Sequence, residues 1–192
     1  MRICVYLGSS PGHSPVYREA AEQVGRLLAE RGIGLVYGGG TVGLMGVIAD
    51  TVCAAGGEVI GVIPEALRAR EHDHPGLTEL HVVKTMHERK AMMAQFADGF
   101  LCLPGGIGTL EEIFEAWCWS QLGYHEKPCG LLNVNGFYTP MSTFIDSVVQ
   151  EGFLQPRHRA MLLIDDDAQV LLDRMAQYLP PQTEHWLGAD DL

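Results

Sequence analysis

Two glutamates follow a glycine-rich turn in LPGGIGTLEE (residues 103–112), and an arginine–lysine pair, Arg89 and Lys90, stands upstream in TMHERKAMM (residues 85–93). The backbone N–H groups of such a turn, aligned with a helix N-terminus, favour an anion such as phosphate. Carboxylates in the same place would repel it. The pattern therefore predicts a ligand held at two ends, its phosphate near Gly105, Gly106 and Gly108 and a glutamate working on another part. Thr109-Leu110-Glu111-Glu112 also reads as a capping box, in which Thr109 caps the helix and Glu112 only reaches back to the cap N–H. Spacing leaves the two readings of Glu112 level. Arg89 and Lys90 are open in the same way: arginine suits bidentate recognition of phosphate or carboxylate, but adjacent cations on an amphipathic helix commonly form a solvated face.

Two more glycine loops precede this one, LGSSPG (residues 7–12) and YGGGTVGLMG (residues 37–46). Gly38, Gly40 and Gly43 satisfy G-x-G-x-x-G, but a dinucleotide fingerprint should follow the first strand and be answered by an acid about 20 residues on. Here it follows the second strand, although Glu58 stands near the right distance. The bland alternative is that these glycines serve tight turns and close helix packing. His72 and His74 flank Asp73 with no third ligand evident, so a solvated loop is expected rather than a metal site. Trp117 and Trp119 read as packing or interface residues.

The elements that must position these loops are legible as apolar runs at residues 3–7, 34–37, 59–63, 80–83, 99–103 and 130–133. These alternate with amphipathic stretches such as 17–31, 44–55, 87–96 and 110–121. Such alternation predicts an α/β fold, a Rossmann-like doubly wound parallel sheet with helices on both faces. Ligands of that fold sit at the carboxyl ends of the strands, so all three loops should share one edge and one site. Residues 66–78 read as a polar loop and a lid, residues 1–179 as one domain, and residues 180–192 as a surface tail. The net charge of −11 argues against sequence-independent nucleic-acid binding, which needs a basic face. Five dispersed cysteines with no CxxC pair fit reduced thiols in a cytoplasmic protein, and no run approaches the roughly 20 apolar residues of a membrane span.

Through about Leu163, the runs CVYLGSSPG, LVYGGGTVGLMG, VIGVIP, MHERK, PGGIGTLEE, QLGYHEKPCGLLNVNGFY and FIDSVVQEGF make the chain resemble the Lonely guy family. These are nucleoside 5′-monophosphate phosphoribohydrolases, the cytokinin-activating enzymes. The resemblance implies hydrolysis of the N-glycosidic bond of an N6-modified adenosine monophosphate to free base and ribose 5-phosphate. It implies a homodimer with the site near the subunit interface, and no cofactor and no metal are expected. It carries the catalytic arginine and glutamate onto Arg89 and Glu112, and substrate contacts onto Glu71, Lys90 and the run Gly105, Gly106, Ile107, Gly108, Thr109, Leu110 and Glu111. The loops after the second and fifth strands, with Gly39, Gly40, Gly43 and Met45, then take the 5′-phosphate, and Gly8, Ser9 and Ser10 line the base side. Met92 departs from a glutamate common in the family. The rival is a carrier of a nucleotide or molybdenum cofactor on the same fold, without turnover. An NAD-dependent dehydrogenase is a third reading, weakened by the misplaced fingerprint. The older label of lysine decarboxylase finds no support, since none of Lys84, Lys90 and Lys127 lies in a motif for a pyridoxal phosphate Schiff base.

Overall fold

In the computed structural model, which describes residues 1–181, seven strands pair in parallel into one sheet. They are β1 (Arg2–Tyr6), β2 (Gly34–Tyr37), β3 (Val59–Pro64), β4 (Glu79–Val83), β5 (Gly99–Cys102), β6 (Cys129–Leu132) and β7 (Leu162–Asp165). Their spatial order is β4-β3-β2-β1-β5-β6-β7. The chain builds outward from β1 in one direction, then restarts beside β1 with β5 and builds the other way. The switch point is therefore between β1 and β5, where adjacent loops leave in opposite directions and open a crevice.

Helices α1 (Pro15–Glu30), α2 (Gly43–Ala54) and α8 (Ala168–Ala176) cover one face, and α4 (Met86–Phe96), α5 (Ile107–Leu122) and α6 (Thr139–Gln150) pack on the other. The shorter α3 (Glu65–Glu71) and α7 (Pro156–Arg159) lie in the connections. The strands read as continuous apolar runs because both faces are buried, and alternate residues enter different cores: Ile3 and Val5 face the α1 side, Cys4 and Tyr6 the α4 side. Helix α1 buries a stripe of Ala20, Ala21, Val24, Gly25 and Leu28. Gly25 lets α2 approach, since a Cβ there would lie 2.9 Å from the Thr51 Cβ.

Two expectations need correction. Residues 66–78 are not a loop throughout: Glu65–Glu71 forms about two helical turns, with Glu65 in the first and Arg68 and Arg70 in the last, matching the helix dipole. The six apolar runs are not all the strands, since Leu162–Asp165 supplies a seventh, after which Asp167 caps α8, accepting bonds from the N–H groups of Gln169 and Val170. The expected tail at residues 180–192 falls almost wholly outside the described residues. Among the described residues no helix is long and apolar enough to cross a membrane, and no group of three His, Cys, Asp or Glu is placed to share a metal.

Candidate active site

The three glycine loops meet backbone to backbone over the switch point. Gly8 N–H donates to the Pro104 carbonyl (3.2 Å) and its own carbonyl accepts from Leu44 N–H (3.0 Å), so the first loop is stitched to the third and the second. Gly43 has φ +57°, and a Cβ there would overlap the Ser9 carbonyl and the Ser10 nitrogen. Glycine is required at this joint both for the left-handed backbone and for the contact. The crevice so formed, about 190 Å³, is bounded by Gly8, Ser9, Ser10, Gly105, Gly106 and Phe137.

Helix α5 begins at this crevice without a side-chain cap. Its N-cap is Gly106, not Thr109, which lies inside the first turn with its side chain packed over Gly105. The capping-box reading fails for that reason, and Glu112 is released from any capping duty. The N–H groups of the first turn are left for solvent or a ligand. Gly106 and Gly108 have negative φ and open space where a Cβ would stand, so neither packing nor backbone conformation demands glycine.

Below the turn, Arg89 and Lys90 are 5% and 6% exposed, which overturns the solvated-face reading. The Arg89 Nε donates to the Val62 carbonyl (3.1 Å) and its Nη2 to the Gly38 carbonyl (3.0 Å), so the ends of β2 and β3 fix the guanidinium. Gly38 makes room for it, as a Cβ would overlap Nη2. Glu71 Oε2 lies 3.5 Å from Nη2 and, although buried, makes no hydrogen bond. Burial raises the Glu71 carboxyl, and Arg89 pulls it partly back. Glu112 is pushed up to about 7, chiefly by loss of solvent, with Arg89 opposing and Glu111 and Glu71 adding to the rise. A carboxyl titrating near neutrality in the field of a fixed guanidinium, at the switch point of a doubly wound sheet, is an arrangement suited to acid–base chemistry.

Residues 45–175 match a family model described as "Possible lysine decarboxylase". The cytokinin riboside 5′-monophosphate phosphoribohydrolase LOG of Oryza sativa subsp. japonica is 50% identical over 179 residues, covering 93% of this chain and 74% of that one. A phosphoribohydrolase of the same name from Arabidopsis thaliana, LOG7, is also 50% identical and is covered to 82%. The chain belongs to the Lonely guy family. Solved structures of a molybdenum cofactor binding protein from Rippkaea orientalis (TM-score 0.69, 21% identity, covering 92% of this chain and 95% of that one) and of the molybdenum cofactor carrier protein from Chlamydomonas reinhardtii (TM-score 0.68, 20% identity, 92% and 96%) share its fold.

In this Lonely guy protein the expected site residues fall into three groups. Gly8, Ser9, Ser10, Gly105 and Gly106 line the crevice, with Gly43 pressed beneath it and Ile107 and Gly108 exposed on its rim. Glu71, Arg89 and Glu112 gather below, and Gly40 lets Glu71 in, since a Cβ there would lie 2.8 Å from the Glu71 Cβ. The remainder are set back: Met45 is in the core with its Sδ toward Gly38, Leu110 packs against the core on the α4 side, and Gly39 turns the chain at φ +79°. Lys90 Nζ binds Glu111 Oε1 (2.6 Å) and Glu115 Oε2 (2.9 Å), cross-linking α4 to α5. Burial would lower its pKa, but those two carboxylates raise it above the ordinary lysine value.

Sequence reasoning missed Glu115 and the two carbonyls that hold Arg89. Glu115 could have been found, being one turn beyond Glu111 on the same helix face. The carbonyls of Gly38 and Val62 carry no sequence signal. Glu58, the acid that could have completed a dinucleotide fingerprint, is instead paired with Arg2 (2.7 Å) next to the start of β3, at the opposite end of the sheet.

The glycine at position 108 gives a direct test of the anion reading. Gly108→Ala should leave the fold unchanged or gain about 0.5 kcal/mol, because alanine suits a helix better and meets nothing. The same substitution should raise the KM for a nucleoside monophosphate about tenfold by crowding the phosphate. Thermal melts beside steady-state kinetics check both halves, and an unchanged KM would move the phosphate away from this turn.

Proposed function

We propose that this protein hydrolyses the N-glycosidic bond of an adenosine 5′-monophosphate, N6-modified forms included, releasing free base and ribose 5-phosphate. The observation that carries the reading is Glu112, desolvated and titrating near 7 in the field of the buried Arg89, in the helix that begins at an uncapped glycine-rich turn. The relatives' 50% identity supports it.

The 5′-phosphate sits on the free N–H groups of the α5 first turn, which orients the ribose over Glu112. As the bond from C1′ to the base nitrogen lengthens, positive charge builds on the ribose ring, and the Glu112 carboxylate stabilises it. Water attacks C1′, forming the new C–O bond. The C–N electron pair leaves on the base, and the water's proton passes to Glu112 and from there to the base. Arg89 keeps Glu112 ionisable against its burial, and its remaining N–H groups polarise the departing base. Glu71 Oε2, without a hydrogen bond of its own, accepts from a ligand hydroxyl.

Lysine decarboxylation does not suit these residues. A Schiff-base lysine must be free to lose its proton, and Lys90 is clamped by two carboxylates, while Lys127 donates to the Ala94 carbonyl (2.7 Å) beside the start of β6, away from the crevice. A carrier would need no desolvated carboxylate beside an arginine. We further infer a homodimer, supported by the exposed rings of Phe144 and Phe153, and a cytoplasmic location, supported by five unpaired cysteines.

The deciding assay incubates the protein with AMP and with isopentenyladenosine monophosphate and separates the products by chromatography. Release of free base and ribose 5-phosphate is expected, with the ratio of rates giving the base preference. Binding of both without release would favour the carrier. Because Glu112 must be ionised, kcat/KM should climb with pH and level off above about 7, higher than the second ionisation of a phosphate monoester near 6.

A further inference from the structure

The segment carrying Glu71 is tied down by residues remote from the chemistry. Its backbone lies on the β2–α2 loop: Thr41 N–H donates to the Glu71 carbonyl (2.9 Å), His74 N–H donates to the Gly39 carbonyl (3.2 Å), and Gly40 bridges Asp73. His72, inside it, holds φ +52°, a strained conformation for a side-chain-bearing residue that persists only where its surroundings enforce it. The enforcement comes from the next turn. His74, 7% exposed, places Nε2 3.0 Å from Asp50 Oδ1 on α2, and its Nδ1 accepts from Gly76 N–H (3.1 Å). That acceptance assigns the ring proton to Nε2, so His74 donates to Asp50. Arg68, paired with Asp73, closes the other side. The buried Tyr37 hydroxyl has no hydrogen-bond partner, and burial, with the charges of Cys53, Asp50 and Glu71 adding to it, pushes its pKa far up.

We propose that Asp50 and His74 are positioning residues that latch the segment from Glu71 to Gly76 onto the second glycine loop and so hold the Glu71 carboxylate against Arg89. The inference rests on the proposed nucleotide site. Asp50 touches neither the crevice nor Arg89, and its side chain is 77% exposed, so its removal spares the core. With the latch cut, the free protein spends part of its time with Glu71 displaced, and the apparent affinity for substrate falls by that fraction. Bound substrate restores the docked arrangement, so turnover at saturation is preserved.

Asp50→Ala should therefore raise the KM for a nucleoside monophosphate three- to tenfold with kcat within twofold. Asp50→Asn, which keeps an oxygen acceptor for Nε2–H, should restore the wild-type KM. In a Glu71→Gln background, Asp50→Ala should add little, because the group being positioned has already been altered. Amide hydrogen exchange at Thr41 and Gly76, measured without ligand, should quicken in Asp50→Ala and return in Asp50→Asn. An unchanged KM with unchanged exchange overturns the latch, as does a drop in melting temperature that leaves KM alone. Faster exchange in Asp50→Ala from a wild type that cleaves no nucleotide would sink the functional reading while leaving the latch itself standing.

Discussion

Glu112→Gln should lose turnover by a thousandfold or more and yet melt at a higher temperature than the wild type. The loss follows from removing the one carboxylate placed to stabilise positive charge on the ribose, while the amide keeps the shape and the nucleotide still binds. The gain follows from linkage. The folded-state pKa of Glu112 is raised to about 7 from 4.5, so the unfolded chain releases its proton at lower pH than the native state does. Native stability is then undiminished below about pH 4.5, falls as pH rises toward 7, and stays low above it. The full difference is up to about 3 kcal/mol at pH 8, and glutamine, carrying no charge, escapes it. A melting temperature roughly 6–12 °C above wild type at pH 8, shrinking toward zero as the pH falls below about 4.5, is the expected signature. Loss of activity in step with unfolding would instead make Glu112 a structural residue.

Arg89 should behave in the opposite way, costing both activity and stability. Arg89→Ala leaves the Gly38 and Val62 carbonyls without their donors and Glu71 without its cation, all in a buried setting. Breaking such an arrangement from one side costs about 3–5 kcal/mol, so the melting temperature should fall by about 10 °C. Turnover should fall at least a hundredfold, since the departing base loses its donor and Glu112 loses the charge that opposes its protonation. Arg89→Lys should rescue little, because a single ammonium cannot reach two carbonyls in the fork geometry of a guanidinium. Melting curves and single-turnover rates on the two variants separate the effects, and near-wild-type rates in folded Arg89→Ala would remove the residue from the mechanism.

The contrast between these residues shows what one-dimensional reasoning can reach. By spacing, Glu112 was equally a cap and a catalyst, because Thr-Leu-Glu-Glu satisfies the capping pattern wherever it occurs. The helix starts three residues earlier than that pattern expects, at a glycine with no side chain to offer, and this shift alone removes the capping role. Arg89 and Lys90 stayed open between a ligand site and a solvated face because sequence cannot see that β2, β3 and α5 close over them. The histidines at 72 and 74 looked alike for the same reason, and only one is buried.

What the sequence determined by itself is the alternation of strand and helix, and with it the parallel sheet, the common edge for the glycine loops and the family. These follow from local rules: a strand buried on both faces must be apolar throughout, a helix must show a stripe, and a chain that turns sharply against another backbone needs glycine. What only the tertiary structure decided is the state of the charged groups. A carboxyl reaches a pKa near 7, or a guanidinium is fixed by two carbonyls, through the solvent it loses and the charges it meets. Those neighbours come from strands and loops tens of residues apart, whose convergence is a property of the fold and not of any motif.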